Sequence, residues 1–251
     1  MRYLELKSLG KYIKIRFLDW IKNAREESAG WVRFWHQLYQ YKRLASSRTN
    51  EFQYYLYPCL NDSTNVTPIE PIYFYQDAWA FEHIVKKRPS MHVDIGSHHK
   101  FVALLSKVVP VTMVDIRPLS ISMSSIAFQA GSILDLPFPD NSLPSVSSIC
   151  VIEHIGLGRY GDPLDAWGTE KALAELKRVL IPGGNLYISL PIEDQNKIYF
   201  NAHRAYKEEY MLELFSPFEV MDKKYICGNQ FTGIRSPGFS TGCYFLRKPY
   251  S

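Results

Sequence analysis

Between residues 91 and 192, short apolar runs alternate with segments of helical spacing, and this alternation leaves the chain few architectures. MHVDIGS (91–97) is a brief buried-strand pattern ending at a glycine, and VTMVDIR (111–117) is a second one. KFVALLSKVV (100–109) lies between them with apolar residues at helical spacing, which makes a β-α-β unit. IAFQAGSI, SVSSICVIEH and NLYISLPI add three strand candidates, with the helix DAWGTEKALAELKRVL before the last. Such alternation predicts an α/β fold of the Rossmann-like kind, a mostly parallel sheet covered by helices on both faces. AYKEEYMLELF reads as a later helix, and FEVMDKKYICG and GCYFLRKP read as strands. Leu173, Leu176 and Leu180 form a stripe that packs on the sheet, and Pro182, Gly183 and Gly184 turn the chain afterwards.

The 251 residues suit one α/β domain with an appendage. The division expected is a helical extension and linker over 1–70, followed by the sheet-bearing domain over 71–251. Ile13, Phe17, Ile21 and Ala24 recur at helical period, and Trp31, Phe34, Trp35 and Leu38 do so again after Gly30, which predicts two amphipathic helices. Residues 1–45 carry six more basic than acidic side chains, although the whole chain is only +4. A basic aromatic helix either packs on its own domain or lies on an anionic membrane, so peripheral membrane contact stays open. The net charge gives no reason to expect nucleic-acid binding. Residues 46–70 are rich in turn formers and read as a linker or lid. Four scattered cysteines without a CxxC pair, no signal-like apolar stretch and no membrane-length run predict a cytoplasmic protein with reduced thiols.

In an open parallel sheet, ligands bind beyond the carboxyl ends of the strands where the winding order reverses. Those ends are Asp94–Ser97, Asp115, Gly131–Ser132 and Glu153–His154. Gly96 permits a tight turn into a helix whose amides can face a carboxylate. Asp115 stands where an acid can accept hydrogen bonds from two ribose hydroxyls.

GSILDLPFPDNSL (131–143), SVSSICVIEHI and ELKRVLIPGG (175–184), in that order, resemble the class I S-adenosylmethionine-dependent methyltransferases. HVDIGS, VDIRPL, EHIGLGRYGDPLD and HRAY are in turn similar to the branch known as domain of unknown function 268. The resemblance implies S-adenosylmethionine as cofactor, held around Gln76, Asp94, Gly96, Ser97, His98, Asp115, Ile116, Ser132, Ile133 and Val151. It also suggests a setting in surface-polysaccharide biosynthesis. Two positions depart from the family. Where the family has GxGxG, this chain has Gly96, Ser97, His98, His99 and Lys100, so His98 adds bulk; where the family has an acid against adenine, Ser132 stands.

A hydroxyl acceptor benefits from a base, and His154 at the fourth strand end is the candidate, with Glu153 and His203 beside it. Glu153, His154 and His203 also suit a divalent ion. Cys150 replaces the acid that metal-dependent relatives use, and no metal is expected. Arg159, Tyr160, Asp162 and Arg204 lie on pocket-facing loops and suit a polar acceptor such as a sugar. The expectation is an O-methyltransferase acting on a sugar or another polar small molecule. The alternative is a non-catalytic methyltransferase-like domain that binds a protein partner or a membrane surface. A nicotinamide oxidoreductase is disfavoured, because no GxGxxG follows the first strand.

Overall fold

The computed structural model describes residues 2–44 and 55–250. Its elements run α1 (Arg2–Leu44), α2 (Pro71–Lys87), β1 (His92–Ile95), α3 (His99–Leu105), β2 (Val111–Asp115), β3 (Ile126–Ala130) and β4 (Leu143–Ile149). After a single 3-10 turn at Ile152–His154 come α4 (Gly168–Val179), β5 (Leu180–Ile192), β6 (Lys197–Tyr199), β7 (His203–Ala205), α5 (Glu208–Phe215), β8 (Glu219–Cys227), β9 (Gln230–Thr232) and β10 (Ser240–Arg247). The chain divides into two compact units, Met1–Pro68 and Ile69–Ser251.

All four residues of β1 are buried, as expected for a parallel strand covered on both faces. The sheet order is β3-β2-β1-β4-β5-β10-β8-β9, with β3, β2, β1, β4 and β5 paired in parallel and β10 antiparallel to both β5 and β8. Winding starts at β1, moves outward through β2 and β3, then returns to β4, so the switch point falls between β1 and β4. Ala172, Leu173 and Leu176 of α4 and Met211 and Phe215 of α5 fill one face of the sheet. Trp79, Ala80 and Ile84 of α2 and Phe101, Val102 and Leu105 of α3 fill the other.

The motif LPF…ELKR has a structural cause. Arg178 donates to the carboxylates of Glu175 and Asp140 and to the carbonyls of Leu136 and Phe138, while the Leu136 amide donates to Glu175 at 2.8 Å. One helix turn thereby clamps the loop that leads from β3 to β4. The turn expected at Pro182–Gly184 lies inside β5: the step from Leu180 to Asn185 stands against the step from Leu143 to Ser145 on β4, and Gly183 has φ +76°. These residues form an irregularity in a continuous strand.

Two helices were expected at the start, and the structure corrects this to one of 43 residues that runs straight through Gly30. A lone glycine costs a helix only about 1 kcal/mol, too little to break one this long. Gly30 serves a close approach instead: a Cβ there would meet Leu60 Cβ at 2.8 Å, and Arg33 donates to the Leu60 carbonyl. Among the described residues, no helix is long and apolar enough to cross a membrane.

Candidate functional site

The turn after β1 is fixed by a buried polar string. Asp94, fully buried, accepts from the Ser97 amide at 3.1 Å and from the Ser147 hydroxyl on β4. Since the Ser147 proton goes to Asp94, its oxygen accepts from His92 Nε2 at 2.9 Å, and His92 Nδ1 then accepts from Ser145 at 2.8 Å. The Ser97 hydroxyl accepts from the Ile149 amide at 3.0 Å. Burial pushes Asp94 up to about 6 and His92 down to about 3, so His92 is neutral. Asp94 and Ser97 therefore hold the turn against β4, and the turn in between presents Gly96.

Gly96 has φ +67°, and a Cβ there would lie 3.2 Å from Val151 and 4.0 Å from Asp115 Oδ2. The ends of β1, β2 and β4 thus converge around this glycine. Asp115 Oδ1 accepts from the Arg117 amide at 2.8 Å, and its carboxylate is otherwise approached by the Arg117 side chain at 3.6 Å. His98 caps α3, with Nδ1 accepting from the Lys100 amide at 3.4 Å and the ring against Tyr73 and His99. Its imidazole leans toward α2 and α3, and is not among the atoms nearest to where a Gly96 Cβ would be. Ile116 is exposed, Ile133 is buried in the core, and the Ser132 hydroxyl accepts from the Leu134 amide at 3.1 Å. That leaves the Ser132 proton free to donate.

Gln76, fully buried on α2, accepts through Oε1 from Ser189 at 2.8 Å and from the Cys150 thiol at 3.1 Å. Its Nε2 is buried without a partner, as is Oε2 of Glu153. A buried polar atom left unpaired costs about 1–3 kcal/mol, which a ligand can recover. Cys150 itself has φ +52°, an unfavourable conformation for a residue with a side chain, and such strain clusters at functional sites. Its thiol is pushed well up by burial and is inert as a nucleophile.

The structure brings Glu153, His154, Arg159 and Tyr160 together. His154 Nδ1 lies 2.6 Å from the Ala202 carbonyl, which can only accept, so Nδ1 carries the proton and Nε2 keeps its lone pair. That lone pair sits 3.7 Å from Glu153 Oε1. Burial moves both groups toward neutrality, His154 down to about 4 and Glu153 up to about 8. The Tyr160 ring lies edge-on to His154 at 5.5 Å, with Arg159 5.1 Å and Arg117 4.5 Å from its centroid. Arg117, which sequence reasoning passed over although it follows Asp115 by two positions, therefore ties the end of β2 to the 155–167 loop.

Asp162 and Arg204 have partners within the protein. Asp162 accepts from the Gly156 and Tyr160 amides and shapes the loop. Arg204 is buried and donates to the carbonyls of Ile155 and Asp165, so it supports the same loop from below and is spent as an anion binder. His203 packs on Tyr199 and Phe239 with a buried, unpartnered Nε2, and burial lowers its pKa. Among the described residues, no group of three His, Cys, Asp or Glu side chains is placed to hold a metal ion. Replacing Arg204 by alanine should cost about 2–4 kcal/mol in urea denaturation, because two buried carbonyls lose their donor. An unchanged midpoint would show that the loop does not depend on it.

The strand order, the glycine turn and the acid closing the second strand define the fold of the class I S-adenosylmethionine-dependent methyltransferases. Residues 137–232 match the family described as Caenorhabditis protein of unknown function, DUF268. No curated protein matches the chain. Among solved structures, the 1,6-didemethyltoxoflavin-N1-methyltransferase of Burkholderia thailandensis, with bound 1,6-didemethyltoxoflavin and S-adenosylhomocysteine, aligns at TM-score 0.52 and 16% identity, covering 74% of this chain and 93% of that one. The N-methyltransferase NodS of Bradyrhizobium japonicum WM9, in complex with S-adenosylhomocysteine, aligns at 0.52 and 15%, covering 76% and 92%. The cyclase SpnF aligns at 0.52 and 14%, covering 70% and 82%. At such identities the likeness is one of fold, and a cyclase among the matches means that the reaction must be argued from the site.

The residues present fit an adenosyl group with an amino-acid tail. Asp115 offers an acceptor for ribose hydroxyls, Gly96 leaves room beside it, Gln76 Nε2 is a free buried donor, and Ser132 retains a proton for a ring nitrogen. The one element that fits less well is the α3 amino end, where His98 already occupies the Lys100 amide.

Proposed function

We propose that this chain is an S-adenosylmethionine-dependent methyltransferase whose acceptor is a hydroxyl of a sugar or another polar small molecule. The observation that carries the reading is the convergence of Gly96, the Asp115 carboxylate and Val151 at one switch point, flanked by two buried polar atoms without partners. When bound there, S-adenosylmethionine supplies an activated methyl group. The protein's own task is to align the acceptor, exclude water and receive the hydroxyl proton. His154 Nε2 receives it, since the Ala202 carbonyl locks the opposite nitrogen in the protonated form. Arg159 and Tyr160 border the acceptor on the rim. The resemblance to the 268 branch points to surface-polysaccharide assembly as the setting, with a nucleotide sugar or glycan as the first acceptors to try.

Isothermal titration with S-adenosylhomocysteine tests the binding half of this reading. No heat and no thermal shift from either S-adenosylhomocysteine or S-adenosylmethionine would leave a methyltransferase-like domain without cofactor and would favour a binding role. With an acceptor found by labelled-methyl transfer in extracts, His154→Ala should lower kcat by about 10²–10⁴-fold and leave S-adenosylhomocysteine affinity unchanged. The pH dependence follows from His154 lying near 4: a base deprotonated above that value keeps the rate level on acidification to about pH 5, whereas an ordinary histidine would lose most of it. A rate that halves near pH 6.5 would count against His154 as the base.

A further inference from the structure

We propose that α1 docks its Ile13–Trp35 stripe on an anionic lipid surface. At 3.6 residues per turn, Ile13, Phe17, Trp20, Ala24, Trp31 and Trp35 fall within an arc of about 60° on the helix. They stand exposed, Trp20 at 65% and Trp35 at 52%, and neighbours along the stripe stack on one another, Phe17 with Trp20 and Trp31 with Trp35. Among the described residues, the segment around Leu60 meets α1 at Gly30 and Arg33, which lie outside the arc of the stripe. Among the described residues, that contact leaves the stripe exposed.

Charge selects the occupant. At the same 100° per residue, Lys14 stands about 60° and Arg25 and Arg43 about 80° beyond one edge of the arc and Arg16 about 40° beyond the other, while Asp19 and Glu26 stand about 100° and 120° beyond it. Glu27 and Glu5 are the acids nearest the stripe, on the Arg16 side, about 20° and 60° beyond the edge, and residues 1–45 as a whole keep a surplus of six cations. An apolar, tryptophan-rich face edged by cations is the form that lies in the headgroup layer, rings at the acyl boundary and ammonium or guanidinium groups among the phosphates. Tryptophan suits this depth because its ring is apolar and its N–H seeks water. The absence of a spanning segment among the described residues makes the contact peripheral. A dimer through the same face would bring Lys14, Arg25 and Arg43 of two copies together, which disfavours self-association.

The full chain is sedimented with vesicles of phosphatidylcholine alone and with vesicles of equal parts phosphatidylcholine and phosphatidylserine, while tryptophan emission is followed. The expected result is cosedimentation and a blue shift with the mixed vesicles only, both fading as salt is raised. Lys14→Glu, Arg25→Glu and Arg43→Glu together should reduce partitioning by at least about tenfold, given the contribution of each cation near such a surface. Trp20→Ala with Trp35→Ala should cut the blue shift by more than half, leaving Trp31 as the one tryptophan of the stripe. Both variants alter exposed side chains only, and circular dichroism with S-adenosylhomocysteine titration checks that they remain folded. The proposal is overturned if the wild type stays in the supernatant with mixed vesicles at low salt. It is overturned equally if binding ignores salt and lipid charge, or if analytical ultracentrifugation shows a dimer that the tryptophan variants dissociate.

Discussion

Asp115→Ala should weaken S-adenosylhomocysteine binding by about 10²–10⁴-fold while leaving the melting temperature of the free protein nearly unchanged. The size follows from two hydroxyl hydrogen bonds to an ionised carboxylate, each contributing about 1.5–3 kcal/mol. The small effect on folding follows from what Asp115 does in the free protein. Its side chain bonds the Arg117 amide and is approached at 3.6 Å by the exposed Arg117 guanidinium, and a pair this loose with a solvated cation adds little. Asp115→Asn should fall between, since one oxygen acceptor remains and the charge is lost. Equal affinity of wild type and Asp115→Ala, measured by calorimetry at matched ionic strength, would remove the adenosyl slot from the end of β2. Arg117→Ala offers a contrast: it frees Asp115 from a competing cation and detaches Tyr160, so binding should change far less than with Asp115→Ala.

The parts of this site that could be read along the chain are those set by local periodicity. Gly96 and Asp115 each end a strand, and a strand end is visible in seven residues of apolar pattern. The five parallel strands were legible for the same reason, and so was the α4 stripe. Partnerships that depend on distant segments were not legible. Arg204 has the chemistry of an anion binder, yet it is used on the carbonyls of Ile155 and Asp165, and nothing local distinguishes the two uses. The tautomer of His154 is set by a carbonyl 48 positions away. Cys150 looked like a mere vacancy in a metal motif, but its φ of +52° and its bond to Gln76 make it the knot where α2, β4 and β5 meet. Gly30 reads locally as a helix break because the residue that packs against it, Leu60, lies 30 positions away in the chain.

Glu153→Gln should stabilise the free protein, and more so as the pH rises. The folded pKa of Glu153, about 8, lies above its ordinary value of 4.5, and burial is the main cause. The stability tied to its neutral form is therefore complete below pH 4.5 and is lost progressively as the pH climbs to about 8. Glutamine never ionises, so the gap between variant and wild type is smallest near pH 4.5 and levels off above about pH 8. There it reaches on the order of 2–4 kcal/mol, or about 5–10 °C in melting temperature for a domain of this size. Asp77 and Asp94, raised to about 7 and 6 by burial, give the wild type a parallel loss with rising pH. His92 and His154, lowered to about 3 and 4, act the other way: the stability of their neutral forms is present above pH 6.5 and disappears on acidification. Comparing the two proteins at each pH cancels those shared contributions and isolates Glu153. A gap independent of pH, or a less stable variant at pH 8, would mean that Glu153 is already ionised and paired in the folded chain. A growing gap would mark Glu153 as a group kept at a cost to folding, with Oε2 unpaired and Oε1 3.7 Å from His154 Nε2. Such a cost is typical of residues retained for what they do to a ligand.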